Sequence, residues 1–260
     1  IYNRLMLDKH ITAKTGFRLT TYVDAPAGSG LGTSSTLVVA ILNAFAEWHN
    51  IPLGEYDLAH YAYEIERNDL GLAGGKQDQY AATFGGFNFM EFYGGDKVIV
   101  NPLRVKNEII YELENNLLLF FTSTSRESAT IIKQQVNNVE QKNESSIDAM
   151  HHLKEQSVMM KEALLKGNVD LMGDILDYGF QQKKRMASSI SNPLIENIYQ
   201  TARSNGATGG KISGAGGGGF MIFYCPGNSK YKVANALSCL GGNMCSYNFT
   251  KHGAISWKRK

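Results

Sequence analysis

Residues 24–35 read DAPAGSGLGTSS. Gly28, Gly30 and Gly32 fall at every second position among small hydroxyl residues, and an apolar run comes next. Glycine lets a backbone adopt positive φ and approach a ligand closely, so successive amides can turn toward one anion. A helix directly after the loop aims its free N–H groups and the positive end of its dipole at the same point. A phosphate is the natural occupant. A plain strand-to-helix turn with no ligand is the alternative that this stretch alone leaves open.

The flanks suit such a loop. Upstream, FRLTTYV at 17–23 alternates apolar and polar side chains of aromatic and β-branched type, which predicts a strand. Downstream, Leu37, Ile41, Ala44, Phe45 and Trp48 recur at helical spacing and predict a helix from about Ser34 to His49. Spacing excludes three known phosphate loops. A dinucleotide fingerprint counted from Gly28 needs glycine where Thr33 stands, and a protein-kinase loop fails at the same position. A Walker A loop needs a lysine, and none occurs between Asp24 and Thr36.

With 26 Lys and Arg against 24 Asp and Glu in 260 residues, the formal charge is +2. That balance leaves no basic footprint for nucleic acid or an anionic membrane, and it points to a small-molecule partner. Cys225, Cys239 and Cys245 show no paired metal spacing, and their odd number argues against a disulfide framework and for a reducing cytoplasm. No apolar stretch approaches the roughly 20 residues that span a bilayer.

Elsewhere, residues 1–17 read as a helix already under way and 55–70 as another helix. FNFMEF and KVIVNPL read as strands joined at Gly94-Gly95, and NLLLFF as a buried strand ending in hydroxyl residues. Helices are expected over about 126–142, 145–166 and 168–187. Asn192 as N-cap, Pro193 at the first position and Gly206 beyond the end punctuate one more, and a final helix and strand close the chain.

Three motifs together carry a resemblance. PAGSGLGTSS at 26–35, GGKQDQYAATFGGFNF at 74–89 and KISGAGGGGFMIF at 211–223 resemble, in this order, the motifs of the GHMP kinases. Within that superfamily they look most like the branch acting on D-glycero-D-manno-heptose 7-phosphate. The resemblance implies an α+β, two-lobed fold. A ribosomal protein S5 domain 2-like lobe with a left-handed crossover is expected over 1–115, and a ferredoxin-like lobe over 116–260. ATP and substrate would meet in the cleft between them. The family's substrate-contacting G-G-T-D-like motif, expected ahead of the glycine loop, is absent; with the helix already under way at residue 1, this reads as a chain incomplete at its start.

The resemblance also assigns residues. Pro26, Gly28, Ser29, Gly30, Leu31, Gly32, Thr33, Ser34 and Ser35 would hold ATP, with Ser34 also meeting Mg²⁺. Glu66, twelve residues before Asp78, is the carboxylate expected to share that metal, since Mg²⁺ prefers oxygen ligands. Glu64 lies on another helix face. Asp78 matches the catalytic aspartate, as base or as orienting group. Simple helix capping is the plain alternative for Ser34 and Asp78. Lys76, Thr124, Arg126, Lys211, Gly214, Gly216 and Gly217 are candidates for the substrate. Lys183, Lys184 and Arg185 form a charge run, which on a helix is usually a solvated face.

The implied activity is transfer of the ATP γ-phosphoryl group to the anomeric O1 of the heptose 7-phosphate, in the cytoplasm. The resemblance allows a homodimer. A related kinase for galactose or fucose, and a nucleotide-binding module without catalysis, are the competing readings.

Overall fold

The computed structural model describes residues 1–124 and 128–259. The chain forms two compact units. One comprises Ile1–Ala27, Gly32–Pro102 and the segment from Thr250; the other comprises Gly28–Leu31 and Leu103–Phe249. After the glycine loop the first unit continues to Pro102, and Leu103 begins the long segment of the second.

In the first unit, α1 (Tyr2–Leu7), α2 (Thr33–His49) and α3 (Glu55–Glu64) surround a core of Leu5, Val39, Leu42, Phe45, Leu58 and Ala62. The three- and four-residue spacing within α2 and α3 places these side chains on one stripe. A single π turn, Ile65–Asp69, extends α3, and α4 (Gln77–Phe84) comes after it. β1 (Asn88–Phe92) and β2 (Val98–Pro102) form the expected antiparallel hairpin. The segment from Thr250 returns to this unit, where the Ala254 amide donates to Thr83 O.

Residues 17–23 form no strand. A strand needs a partner ladder for its backbone groups, and none of the described strands pairs with this segment. Phe17 instead meets the rings of Tyr2, Phe45 and Trp48, and Leu19, Tyr22 and Val23 are exposed. The expected left-handed crossover is also missing among the described residues, because every pairing is antiparallel and a crossover joins parallel strands.

The second unit contains α5 (Asn107–Asn116), β3 (Leu117–Phe121), α6 (Ser128–Glu140), α7 (Glu144–Lys166), α8 (Met172–Met186), α9 (Pro193–Ser204), β4 (Gly209–Ile212), β5 (Phe220–Tyr224), α10 (Ser229–Ser238) and β6 (Asn243–Cys245). Its sheet is antiparallel in the order β4-β5-β3-β6. In chain order this is a split β-α-β-β-α-β arrangement, the ferredoxin-like topology. Leu118 pairs with Phe223 and Phe120 with Met221, and these side chains join Phe180, Ile195, Ile198, Val233 and Leu237 in the core. Asn192 caps α9 as its sequence predicts, accepting from the Ile195 amide at 3.1 Å.

All three cysteines are free thiols, and no described helix is long and apolar enough to cross a membrane.

Candidate active site

In the first unit the site is built on the start of α2. Gly32 caps that helix with φ 71°, and the amides of its first turn have no carbonyl one turn back to bond. Ser34 and Ser35 occupy this turn. Ser34 is exposed, and its Oγ donates to Glu66 Oε1 at 2.8 Å. Ser35 is buried and its Oγ accepts from Gln79 Nε2 at 3.1 Å.

Glu66 is only 1% exposed. A buried carboxylate costs several kcal/mol unless its oxygens are satisfied, and here each finds a neutral donor. Ser34 serves one, and Gln79 Nε2 serves Oε2 at 2.5 Å. Gln79 Oε1 is left with no partner in the described structure. The π turn sets this arrangement: its extra residue rotates the side chains out of the α-helical register, so Glu66 faces Ser34 and Gln79 while Arg67, next in sequence, turns toward residues 72–75.

Asp78 lies in the first turn of α4, beside Gly32, where a Cβ would come within 3.0 Å of Asp78 Cγ. Although its side chain keeps access to solvent, loss of hydration raises the carboxyl above the ordinary aspartate range; Arg67 opposes the rise and the Glu66 charge adds to it. Arg67 is fixed by donating from Nε to Gly75 O at 3.2 Å and from Nη1 to Leu72 O at 3.4 Å. Lys76 is held elsewhere in this unit, in an ion pair with Asp96 at 2.7 Å and over the Tyr63 ring.

In the second unit the tip of the glycine loop, Gly28–Leu31, is clamped to the second glycine cluster. Ser29 O accepts from the Phe220 amide at 3.0 Å, and Gly30 O accepts from Ser213 Oγ at 2.9 Å. Gly30 (φ 77°) and Gly214 (φ 60°) touch backbone to backbone. A Cβ on Gly214 would stand 2.6 Å from Gly30 Cα, so neither position has room for a side chain. Gly217 is buried with its amide bonded to Ile190 O at 2.8 Å, and a Cβ on Gly216 would strike the same carbonyl. Thr124 O accepts from the Gly219 amide at 2.7 Å, and its Oγ1 lies 2.9 Å from Thr122 Oγ1. Arg126 lies outside the described residues.

Lys211 sits half-buried on β4, and burial lowers its ammonium pKa. The charge run at 183–185 divides three ways, as successive residues on a helix must. Lys184 pairs with Glu196 at 3.1 Å and Arg185 with Asp148 at 2.7 Å, whereas Lys183 donates to Gly214 O. Lys183 is therefore no solvated surface charge: burial, then the neighbouring Lys211 charge, push it down to about 7. It continues the inward stripe of Leu176, Gly179 and Phe180 at helical spacing, which is the sequence signal for its direction. Arg67 and Gln79 carry no such signal, since their contacts depend on the π turn.

Known proteins resemble this chain along its whole length. The N-terminal domain of the GHMP kinases matches residues 2–86, and the GHMP kinase C-terminal domain matches residues 160–243. The chain is 50% identical over 259 residues to the D-glycero-alpha-D-manno-heptose 7-phosphate kinase of Campylobacter jejuni, covering 99% of this chain and 75% of that protein. A crystal structure of a D-glycero-D-manno-heptose 1-phosphate kinase from Bacteriodes thetaiotaomicron superposes with a TM-score of 0.81 at 44% identity, covering 100% of this chain and 73% of that one. The galactokinase of Lactococcus lactis shares the fold at 14% identity, with a TM-score of 0.68 over 88% of this chain and 68% of its own. With an antiparallel split-βαβ sheet, two glycine motifs and both domains matched in order, the chain belongs to the GHMP kinase family.

Proposed function

We propose that the chain transfers the γ-phosphoryl group of ATP to the anomeric O1 of D-glycero-D-manno-heptose 7-phosphate. The observation that carries this reading is the 50% identity, along 99% of the chain, to a kinase named for that sugar phosphate. The structural relative is named for a phosphate of the same heptose, which supports the choice of sugar.

Phosphoryl transfer asks the protein mainly to position reactants and neutralise charge. The segment Gly28–Ser35 presents backbone amides to the ATP phosphates, helped by the positive end of α2, while Pro26 stiffens the entry to the loop. Asp78 accepts the O1 proton as the new O1–P bond forms and the bond from the γ-phosphorus to ADP breaks. Partial loss of hydration makes its carboxylate a better base than an ordinary aspartate. Lys211 and the exposed Gly214 turn serve the acceptor.

A divalent cation fits the first unit's group. Among the described residues no cluster of three acidic, histidine or cysteine side chains could hold a metal alone. Mg²⁺ asks for less, one or two carboxylates with phosphate oxygens and water. Glu66 and the exposed Ser34 hydroxyl would hold it, and the unpartnered Gln79 Oε1 can receive a proton donor that rearranges around it. When bound, Mg²⁺ neutralises polyphosphate charge.

ADP release with Mg-ATP, compared across heptose 7-phosphate, the unphosphorylated heptose, galactose and fucose, tests the reading. Turnover on heptose 7-phosphate that Asp78→Asn abolishes is the expected result. Turnover confined to galactose or fucose would overturn it.

A further inference from the structure

Two lysines of the second unit carry charge that no acidic side chain answers among the described residues. α8 runs along β4: a Cβ on Gly209 would strike Gly173 O, so that face of β4 is turned to the helix. Side chains alternate along a strand, so Lys211, two residues on, shares the face of Gly209. Ten residues along α8 from Gly173, Lys183 reaches the Gly214 turn just past the end of β4 and donates to Gly214 O. Both ammonium groups thus gather where β4 leads into the second glycine cluster. Neither forms an ion pair among the described residues, whereas Lys184 and Arg185 on the same helix are both paired with carboxylates. An ammonium carries three donors, and the Gly214 carbonyl uses one of those on Lys183.

We propose that Lys183 and Lys211 together bind the phosphomonoester group of the acceptor and so make the enzyme select a phosphorylated sugar over its unphosphorylated counterpart. This deepens the function proposed above and rests on it. A dianion suits two like charges held in a half-buried place, because it removes their mutual repulsion and restores the solvation each has lost. The depressed ammonium values of both residues agree with a site kept short of counter-charge until a ligand arrives. Gly214 is exposed at this turn, which leaves the group accessible.

The test uses Lys183→Met, Lys211→Met and Lys183→Arg, each checked for an unchanged melting profile. Inorganic phosphate is titrated calorimetrically into each protein without nucleotide. Weakening by about tenfold or more in either methionine variant, with recovery in Lys183→Arg, is expected. Steady-state kinetics then separate the sources of the phosphate. A rise of about tenfold or more in KM for heptose 7-phosphate, with KM for ATP and for unphosphorylated heptose nearly unchanged, supports the proposal. A rise in KM for ATP with both acceptors would assign the lysines to the nucleotide and overturn it, as would phosphate affinity equal in all four proteins. Absence of wild-type turnover on heptose 7-phosphate overturns the proposed function itself, whereas turnover indifferent to Lys183 and Lys211 overturns only this inference.

Discussion

Asp78 is poised by opposing forces. Dehydration raises its carboxyl, the Arg67 guanidinium restrains that rise, and the Glu66 charge adds to it. Asp78→Asn keeps the shape and removes the basic oxygen, so kcat should fall by about 10²–10⁴-fold with ATP affinity retained, as single-turnover and nucleotide-binding measurements will show. Arg67→Met removes the restraint. As the proposed base, Asp78 acts only when ionised, so the acid limb of the pH profile of kcat/KM should move to higher pH; an unmoved limb would remove Arg67 from the electrostatics. Glu66→Gln should raise the Mg²⁺ concentration for half-maximal rate, read from a metal titration at fixed ATP. At this scale Ser34 and Asp78 are singled out by motif position, and Glu66 by its spacing of twelve residues before Asp78. Arg67 was not, since its proximity to Asp78 arises from loop 72–75, where it bonds two carbonyls that no periodicity marks.

Elements differ in how openly they announce themselves. α9 is written in its own termini, with a capping asparagine, a proline at the first position and a glycine beyond. α5 escapes the sequence reading because Lys106 offers no side-chain cap and no glycine or proline separates the helix from β3. The stretch 17–23 has a strand's alternation, yet alternation describes a face and cannot supply the partner that makes a strand. The π turn is invisible to a 3.6-residue period for the same kind of reason, although it aims Glu66 and Arg67. The glycine loop was legible as a place of close backbone approach, and Gly30 against Gly214 shows one. Gly214→Ala would force a side chain into left-handed φ, costing about 1–2 kcal/mol, and into the Gly30 backbone besides. It should raise KM for ATP and lower the melting temperature together; a change in stability with KM unaltered would separate this contact from nucleotide binding.

Over the whole molecule, chain order and compact unit diverge twice. The loop tip Gly28–Leu31 belongs with the second unit although both its flanks belong with the first, and the segment from Thr250 returns to the first unit. Gly85 shows how closely that return is fitted, since a Cβ there would lie 2.2 Å from Gly253 N. Removing residues 250–260 should expose the Thr83 end of α4 and make the first unit the earlier to be cleaved in limited proteolysis, with the second unit's fragment persisting. Neither return is marked by composition, which is why the sequence reads as two consecutive lobes: long-range closure is a property of the folded backbone, whereas motif order survives in the chain itself.

The carbon that receives the new phosphate decides between the possible activities of this fold. Phosphorus NMR of the product made from heptose 7-phosphate and Mg-ATP should show a second phosphomonoester coupled to the anomeric proton, with the original 7-phosphate signal intact. A new phosphate on any other carbon, or a product formed only from sugars without the 7-phosphate, would contradict transfer to O1 of a phosphorylated heptose.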